Sequence, residues 1–388
     1  MCTVKSDSLM KIFFISHDAS RTGAPLLLLD LIQLLNESGE YECSVLLKNG
    51  GVLSAEFVKV ANTFIWNNPE PNLHKINRLH RLLYNYSSRK AEAKRKTEII
   101  KEVRKSAVII NNTITNGELL QIITTGFQGR VISYIHELKM ASSRFATHHG
   151  IALTILFSHR FITPSHAVKL YLETEYRVSP NQVFVLNSYV PQKIWSIDDN
   201  EANYRKIKFT IGGCGTIDWT KGIDIFVSVA RYLLSLDLHK QFAFIWKGGN
   251  VNSIEYERCY HDIQKSGLNH IITLIPADGK MASFYNQIDI FLLSSREDSY
   301  PLVVLEAASF GKPIICFENA GGAPEFIQKD AGSIIPYLDV LSLAKVLLEY
   351  QQNPKLVLQK GKNAKIRMNM LHQNKSLILE QFKQIIKN

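Results

Sequence analysis

Short apolar runs recur along the whole chain with helix-like stretches between them, and that alternation limits the fold more than any other feature. KIFFIS (11–16), SVLL (44–47), AVII (107–110), VISYI (131–135), RFIT (160–163) and VFVL (183–186) occupy the first half. KFTIGG (208–213), FAFIW (242–246), IITLI (271–275), DIFLLS (289–294), PIICF (313–317) and GSII (332–335) repeat the scheme in the second. The runs are continuous instead of alternating with polar residues, as expected of strands in a parallel sheet covered on both faces. Amphipathic segments such as 222–235 and 281–287 lie between them. Strands alternating with helices define an α/β, doubly wound architecture.

The pattern breaks between 190 and 206, where VPQKIWSIDDNEANYRK carries a proline and an Asp/Asn cluster but no strand. The expected organisation is two Rossmann-like domains, 1–195 on the acceptor side and 196–370 on the donor side. A C-terminal helix, 371–388, is expected to pack back on the first. A ligand should lie where the domains face each other, at the carboxyl ends of the strands.

At 388 residues, with 46% apolar and 21% charged residues, the chain has the composition of a packed globular protein and not of a disordered one. No run reaches the ~18 uncharged apolar residues a membrane span needs. The stretch 26–35 is interrupted by Asp30 and Gln33, and no hydrophobic leader precedes Lys11. The expected location is the cytoplasm, with peripheral attachment to the inner membrane face. Cys2, Cys43, Cys214, Cys259 and Cys316 are odd in number and form no C-x-x-C pair, so neither a disulfide framework nor a zinc knuckle is indicated.

The net charge is +10, and the segment 89–105 holds eight Lys or Arg against three Glu. Such a surface attracts nucleic acid, anionic lipid or phosphorylated small molecules. A solvated helix face with Lys/Glu pairs reads equally well. No nucleic-acid-binding signature accompanies the charge, so no nucleic-acid partner is expected.

Four stretches could carry chemistry. In SSREDSYPLVVLEAASFGKPII (294–315) a strand ends in polar residues and a helix starts with Pro301 near its first position and Ser299 as a cap. The first-turn amides of Leu302 and Val303 then form an anion site suited to a diphosphate. Glu306 lies one turn beyond Leu302 on the same face, and Glu297 and Asp298 stand ahead of the helix. Carboxylates placed so can accept hydrogen bonds from vicinal hydroxyls, as in a nucleotide sugar. In GGCGTIDWTKG (212–222) a strand runs into a glycine turn with a basic residue, suited to phosphate. ISHDASRTGAPLLLLDLIQLL (15–35) is a strand, a small-residue loop and a buried helix from near Pro25. SYIHEL (133–138) ends a strand at His136 and Glu137; Met140 stands where a zinc-protease helix would carry its second His.

Asp298, seven intervening residues, Glu306 and the following Gly311-Lys312-Pro313 resemble the acidic signature of the retaining GT-B glycosyltransferases of family 4 (glycosyl transferases group 1). The loop ending Lys221-Gly222, the loop at Gly23, and INNT (110–113), TPSHAV (163–168) and GGAPEFI (321–327) extend that resemblance over nearly the whole chain. It implies that Asp298, or Glu297 beside it, meets hydroxyls of the transferred sugar, and that Glu306 meets the ribose. The amides near Leu302 and Val303 would hold the diphosphate, and Lys221 would be its cation. Gly215 and Gly23 would allow close backbone approach, with Arg21 assisting, and His136 would face the donor sugar. Gly321, Gly322 and Glu325 would form a further donor loop. Family members often pair the lysine with an upstream Arg; Gly215 and Thr216 stand there, so a second cation would come from Lys247 or Arg296.

No D-x-D triplet occurs, so no metal is expected, and no cofactor beyond the nucleotide diphosphate sugar as co-substrate. The resemblance implies a metal-independent, retaining hexosyltransferase using a UDP- or GDP-sugar and a glycan or lipid-linked acceptor, in bacterial envelope or exopolysaccharide synthesis. The basic segment 89–105 would dock it at an anionic membrane. A sugar-nucleotide 2-epimerase and a catalytically silent nucleotide-sugar-binding subunit are the alternatives.

Overall fold

The computed structural model describes residues 9–67, 78–191, 208–238 and 240–387, with the backbone alone for 78–87. The linker expected at 190–206 lies almost wholly outside the described residues. The chain divides into two compact units. The first comprises 1–164, 169–189 and 375–388; the second comprises 165–168 and 190–374.

The first unit is built on seven parallel strands: β1 (Met10–Ser16), β2 (Tyr41–Asn49), β3 (Asn62–Asn67), β4 (Val108–Asn111), β5 (Arg130–Tyr134), β6 (Arg160–Thr163) and β7 (Val183–Val185). Their order is β3-β2-β1-β4-β5-β6-β7. The continuous apolar runs have a direct cause. Ile12 and Phe14 of β1 pack into one core with Val108, Ile110 and Ile132. Phe13 and Ile15 face the opposite core with Ile109 and Val131. Successive side chains point to opposite faces, so a strand covered on both must be apolar at every position. The C-terminal helix Lys375–Lys387 lies in the first core, with Phe382 edge-on to Tyr41 at 5.9 Å.

Strand β3 carries no signal in the sequence reading, because it is a partly buried edge with only Phe64, Ile65 and Trp66 apolar in succession. Arg95, on the helix Arg78–Val103, donates to the carbonyls of Ile65 and Trp66, the latter at 2.8 Å. Lys96 lies 4.9 Å over the Trp66 ring and pairs with Glu92. Arg104 donates to Thr125 O and Lys105 pairs with Glu102. Half of the basic segment therefore has partners within the fold. Arg89, Lys90, Lys94 and Lys101 are exposed, as are Arg104 and Lys105, and the spacing of four and seven puts Lys90, Lys94 and Lys101 on one helix face.

The second unit repeats the plan with β8 (Phe209–Cys214), β9 (Phe242–Lys247), β10 (Ile272–Ile275), β11 (Ile290–Leu293), β12 (Ile314–Phe317) and β13 (Gly332–Ile335). The order is β10-β9-β8-β11-β12-β13. In both sheets the order reverses beside the first strand, between β1 and β4 and between β8 and β11. The helices that follow the two strands at such a reversal pack on opposite faces of the sheet, and the crevice at the strand ends between them is where doubly wound sheets bind ligands.

Candidate active site

In the second unit the loops after β8 and β11 come together. Gly215 leaves β8 at φ +149°, a backbone closed to other residues, and its amide donates to Lys247 O at 3.0 Å. A Cβ here would stand 3.1 Å from Lys221 Cγ, so glycine lets the lysine stem cross the turn. Asp218 ties the loop together, its Oδ1 accepting from Lys221 N at 2.9 Å and its Oδ2 from Thr216 Oγ1 at 2.8 Å. Gly222, at φ +68°, ends the loop against β11: a Cβ would lie 2.0 Å from Ser294 O. Ser294 Oγ in turn donates to Lys221 O at 3.0 Å.

Lys221 Nζ meets Asp298 Oδ2 at 2.5 Å. Burial opposes the ammonium, but Asp298 and Asp218 outweigh it and hold the Lys221 pKa above its ordinary value. Asp298 is fixed through its backbone: its amide donates to Ala320 O at 2.8 Å, its carbonyl accepts from Gly322 N at 3.1 Å, and it forms a parallel bridge with Gly321. Glu297 precedes it, half-buried. Arg296 is held elsewhere, binding Asp224 with both terminal nitrogens at 2.8 and 2.7 Å and stacking on Trp219. Lys247, 3% exposed, pairs with Asp278.

The helix after β11 runs Leu302–Ser309. Two details differ from expectation. Pro301 is the capping residue and not the first helical one, and no side chain caps the helix. Ser299 is no cap because Pro301 takes an extended conformation (ψ 124°) after it; Ser299 O instead accepts from Ser165 Oγ at 2.8 Å. The amides of Leu302 and Val303 stand in the first turn, where a helix supplies no internal acceptor. Glu306 follows one turn on, with Tyr285 OH donating to its Oε2 at 3.0 Å. The Cys214 thiol is pushed up to about 12 by burial and by the Glu306 carboxylate, against Lys221 and Lys247, so all four groups share one electrostatic neighbourhood. Gly215, Lys221, Asp298, Leu302, Val303 and Glu306 thus converge at the switch between β8 and β11. Glu325 is engaged otherwise, its carboxylate accepting from the amides of His166 and Ala167, both at 2.8 Å.

The first unit places His136 and Gly23 at the corresponding position beside β1 and β4. The buried helix begins at Gly23, two residues before the expected Pro25, and Gly23 is exposed with open space where a Cβ would stand. Asn112 joins the two: its Nδ2 donates to Ala24 O at 2.9 Å and its Oδ1 meets His136 Nε2 at 2.8 Å. Since Oδ1 can only accept, Nε2 carries the proton. Glu137 braces the same turn, accepting from the amides of His136 at 3.0 Å and Ile114 at 3.2 Å and from Thr113 Oγ1. Burial raises the Glu137 pKa. Asn112, Glu137 and His17, an electrostatic neighbour of both His136 and Glu137, have no role in the sequence reading. Their common signal is position, each standing just past the carboxyl end of a central strand: His17 after β1, Asn112 after β4 and Glu137 after β5.

Burial, aided by His17, lowers the His136 pKa to about 3. An unfolded histidine titrates near 6.5, so between these values the folded state binds fewer protons. This group's contribution to stability is complete above about pH 6.5 and is lost as pH falls toward 3. The His136 ring signal in proton NMR is expected to show no titration between pH 5 and 8; a midpoint near 6.5 would contradict the arrangement.

Comparison with known proteins bears on the family and the fold. Residues 197–367 match the family described as glycosyl transferases group 1. The alpha-galactosylglucosyldiacylglycerol synthase of Streptococcus pneumoniae is 27% identical over 213 residues, 48% of this chain and 54% of that protein. The match thus spans about half the length of that relative. An uncharacterized glycosyltransferase of Haemophilus influenzae is 21% identical over 301 residues, 76% of this chain and 80% of that one. The crystal structure of Anabaena HepE in complex with UDP superposes with a TM-score of 0.77 at 15% identity, covering 97% of this chain and 99% of that one. Two Rossmann-type sheets, each with strand order reversed beside its first strand, match the GT-B fold. The chain has the GT-B fold, and its second unit resembles the glycosyl transferases group 1 over residues 197–367.

Proposed function

We propose that the protein is a retaining, metal-independent hexosyltransferase that moves a sugar from a UDP- or GDP-sugar to a glycan or lipid-linked acceptor in bacterial envelope or exopolysaccharide synthesis. The observation that carries this reading is the Lys221–Asp298 pair set beside the first turn of Leu302–Ser309, with Glu306 one turn beyond. An ammonium and two amides suit a diphosphate, and carboxylates on either side suit the hydroxyls of its two sugars. The streptococcal relative's name is that of a glycolipid synthase, and HepE binds UDP; both favour a nucleotide-sugar donor and a lipid-linked acceptor.

In this reading the acceptor hydroxyl attacks the anomeric carbon from the side of the departing diphosphate. The glycosidic C–O bond forms as the sugar–phosphate C–O bond breaks. The hydroxyl proton passes to a leaving phosphate oxygen, whose charge Lys221 and the amides of Leu302 and Val303 offset. His136, neutral and with Nε2 committed to Asn112, is assigned no proton transfer in this step.

Incubation with nucleotide sugars and lipid-linked acceptors should give a product whose anomeric configuration, read by proton NMR, matches the donor. Donor binding without turnover would favour the silent subunit, and an acceptor-independent change at C2 would favour the epimerase. Membrane docking through the exposed Lys90, Lys94 and Lys101 is part of the proposal. Charge reversal at these three should abolish co-sedimentation with anionic vesicles, and unchanged binding would reject it.

A further inference from the structure

Tyr285 lies on the helix Met281–Gln287 and is completely buried. Its ring stacks on Phe310 at 5.2 Å and 29°, and touches Phe284 and Phe291 at centroid distances of 5.1 and 6.2 Å. Walled by three aromatic rings, the phenol has one position. Its hydroxyl reaches Glu306 Oε2 at 3.0 Å and lies 3.2 Å from Val303 O. Phe310 follows Glu306 by four residues, so one face of the Leu302–Ser309 helix and its end meets Tyr285 twice, at the ring and at the hydroxyl. Burial and the neighbouring Glu306 carboxylate hold the Tyr285 pKa well above its ordinary value, so the phenol keeps its proton and donates it.

We propose that Tyr285 is a positioning residue that orients the Glu306 carboxylate toward the ribose diol of the nucleotide, so that the site distinguishes ribonucleotides from 2′-deoxyribonucleotides. This rests on Glu306 meeting the ribose. A glutamate on a helix surface has several rotamers, and ordering it costs side-chain entropy. An oxygen anchored to a fixed phenol removes that cost before the nucleotide arrives, and sets the plane in which a bidentate acceptor must lie. A phenol that only filled core volume would need no carboxylate partner, and its loss would weaken all ligands alike.

The test is calorimetric binding of UDP, GDP and ADP and of their 2′-deoxy analogues to the full chain, wild type and Tyr285→Phe. For the nucleotide that binds best, the wild type should prefer the ribose form by about 10–100-fold, the range for a hydrogen bond to a charged group. Tyr285→Phe keeps the ring stack. It should weaken the ribose form about 5–10-fold, leave the deoxy form within about 2-fold, and raise donor KM without lowering kcat. Should that variant fail to fold, 3-fluorotyrosine at 285 keeps ring and hydroxyl and donates more strongly, and the preference should rise. A wild type that discriminates while Tyr285→Phe discriminates equally, or a fluorotyrosine protein with unchanged preference, overturns the proposal and leaves Glu306 at the ribose. A wild type indifferent to the 2′-hydroxyl overturns the Glu306 reading, and the proposal with it.

Discussion

Lys221→Ala should lower kcat/KM for the sugar donor by roughly 10²–10³-fold, the loss typical when one preorganised donor to developing charge is removed. The loss has two parts. The leaving diphosphate loses its cation, and Asp298, 2.5 Å from Nζ in the native chain, is left as an unpaired half-buried carboxylate facing an anionic ligand. The second part makes a separable expectation. Lys221→Ala combined with Asp298→Asn should bind the nucleoside diphosphate better than Lys221→Ala alone, although turnover stays low, because the repelling charge is gone. Lys221→Arg should not rescue. The lysine stem is threaded past Gly215, where even a Cβ would come within 3.1 Å of it, and a planar guanidinium cannot stand in for a compact ammonium there. Steady-state kinetics with titrated donor checks each variant. A Lys221→Ala enzyme within threefold of wild type would remove the lysine from the site.

Gly321→Ala should be as damaging by another route. Gly321 takes φ +123°, outside the range of L side chains, and a Cβ would lie 1.8 Å from Asp298 O. No rotamer relieves a clash between two backbones. The bridge must open, with loss of the bonds from Asp298 N to Ala320 O and from Gly322 N to Asp298 O. Two lost hydrogen bonds and a strained backbone cost about 2–4 kcal/mol together. Asp298 would then shift away from Lys221, so donor turnover should fall with stability. A lowered urea midpoint and lost activity are both expected. Gly23→Ala is the contrast: a Cβ there meets nothing within 4 Å, so the urea midpoint should hold. A stable, active Gly321→Ala protein would show that the bridge does not hold Asp298.

The uneven legibility of this chain has physical causes. Buried central strands were readable because β1 and β4 send alternate residues into two cores and must be apolar throughout. Edge strand β3 was not, since it is only partly covered and Arg95 on a distant helix supports its carbonyls. Gly215, Lys221, Gly222, Asp298 and Glu306 were legible as spacings because each sits within one loop or helix turn. The Lys221–Asp298 pair was not: 77 residues separate the partners, and only the adjacency of β8 and β11 brings them together. Tyr285 was hidden likewise, 21 residues from Glu306 in a helix that reads as ordinary core. The basic run misled in part. Composition records charge but not partners: Arg95 and Lys96 support β3, Arg104 binds a carbonyl and Lys105 pairs with Glu102.

The measurement closest to the central claim is calorimetric titration of the wild-type chain with UDP, GDP, ADP and CMP, each with and without its sugar. The account predicts that one nucleoside diphosphate binds selectively at micromolar concentration, that its sugar conjugate binds at the same site, and that CMP, lacking the diphosphate, does not. Absence of heat with every nucleoside diphosphate, or equal binding of CMP, would contradict the assignment of Lys221 and the Leu302–Ser309 first turn to a diphosphate.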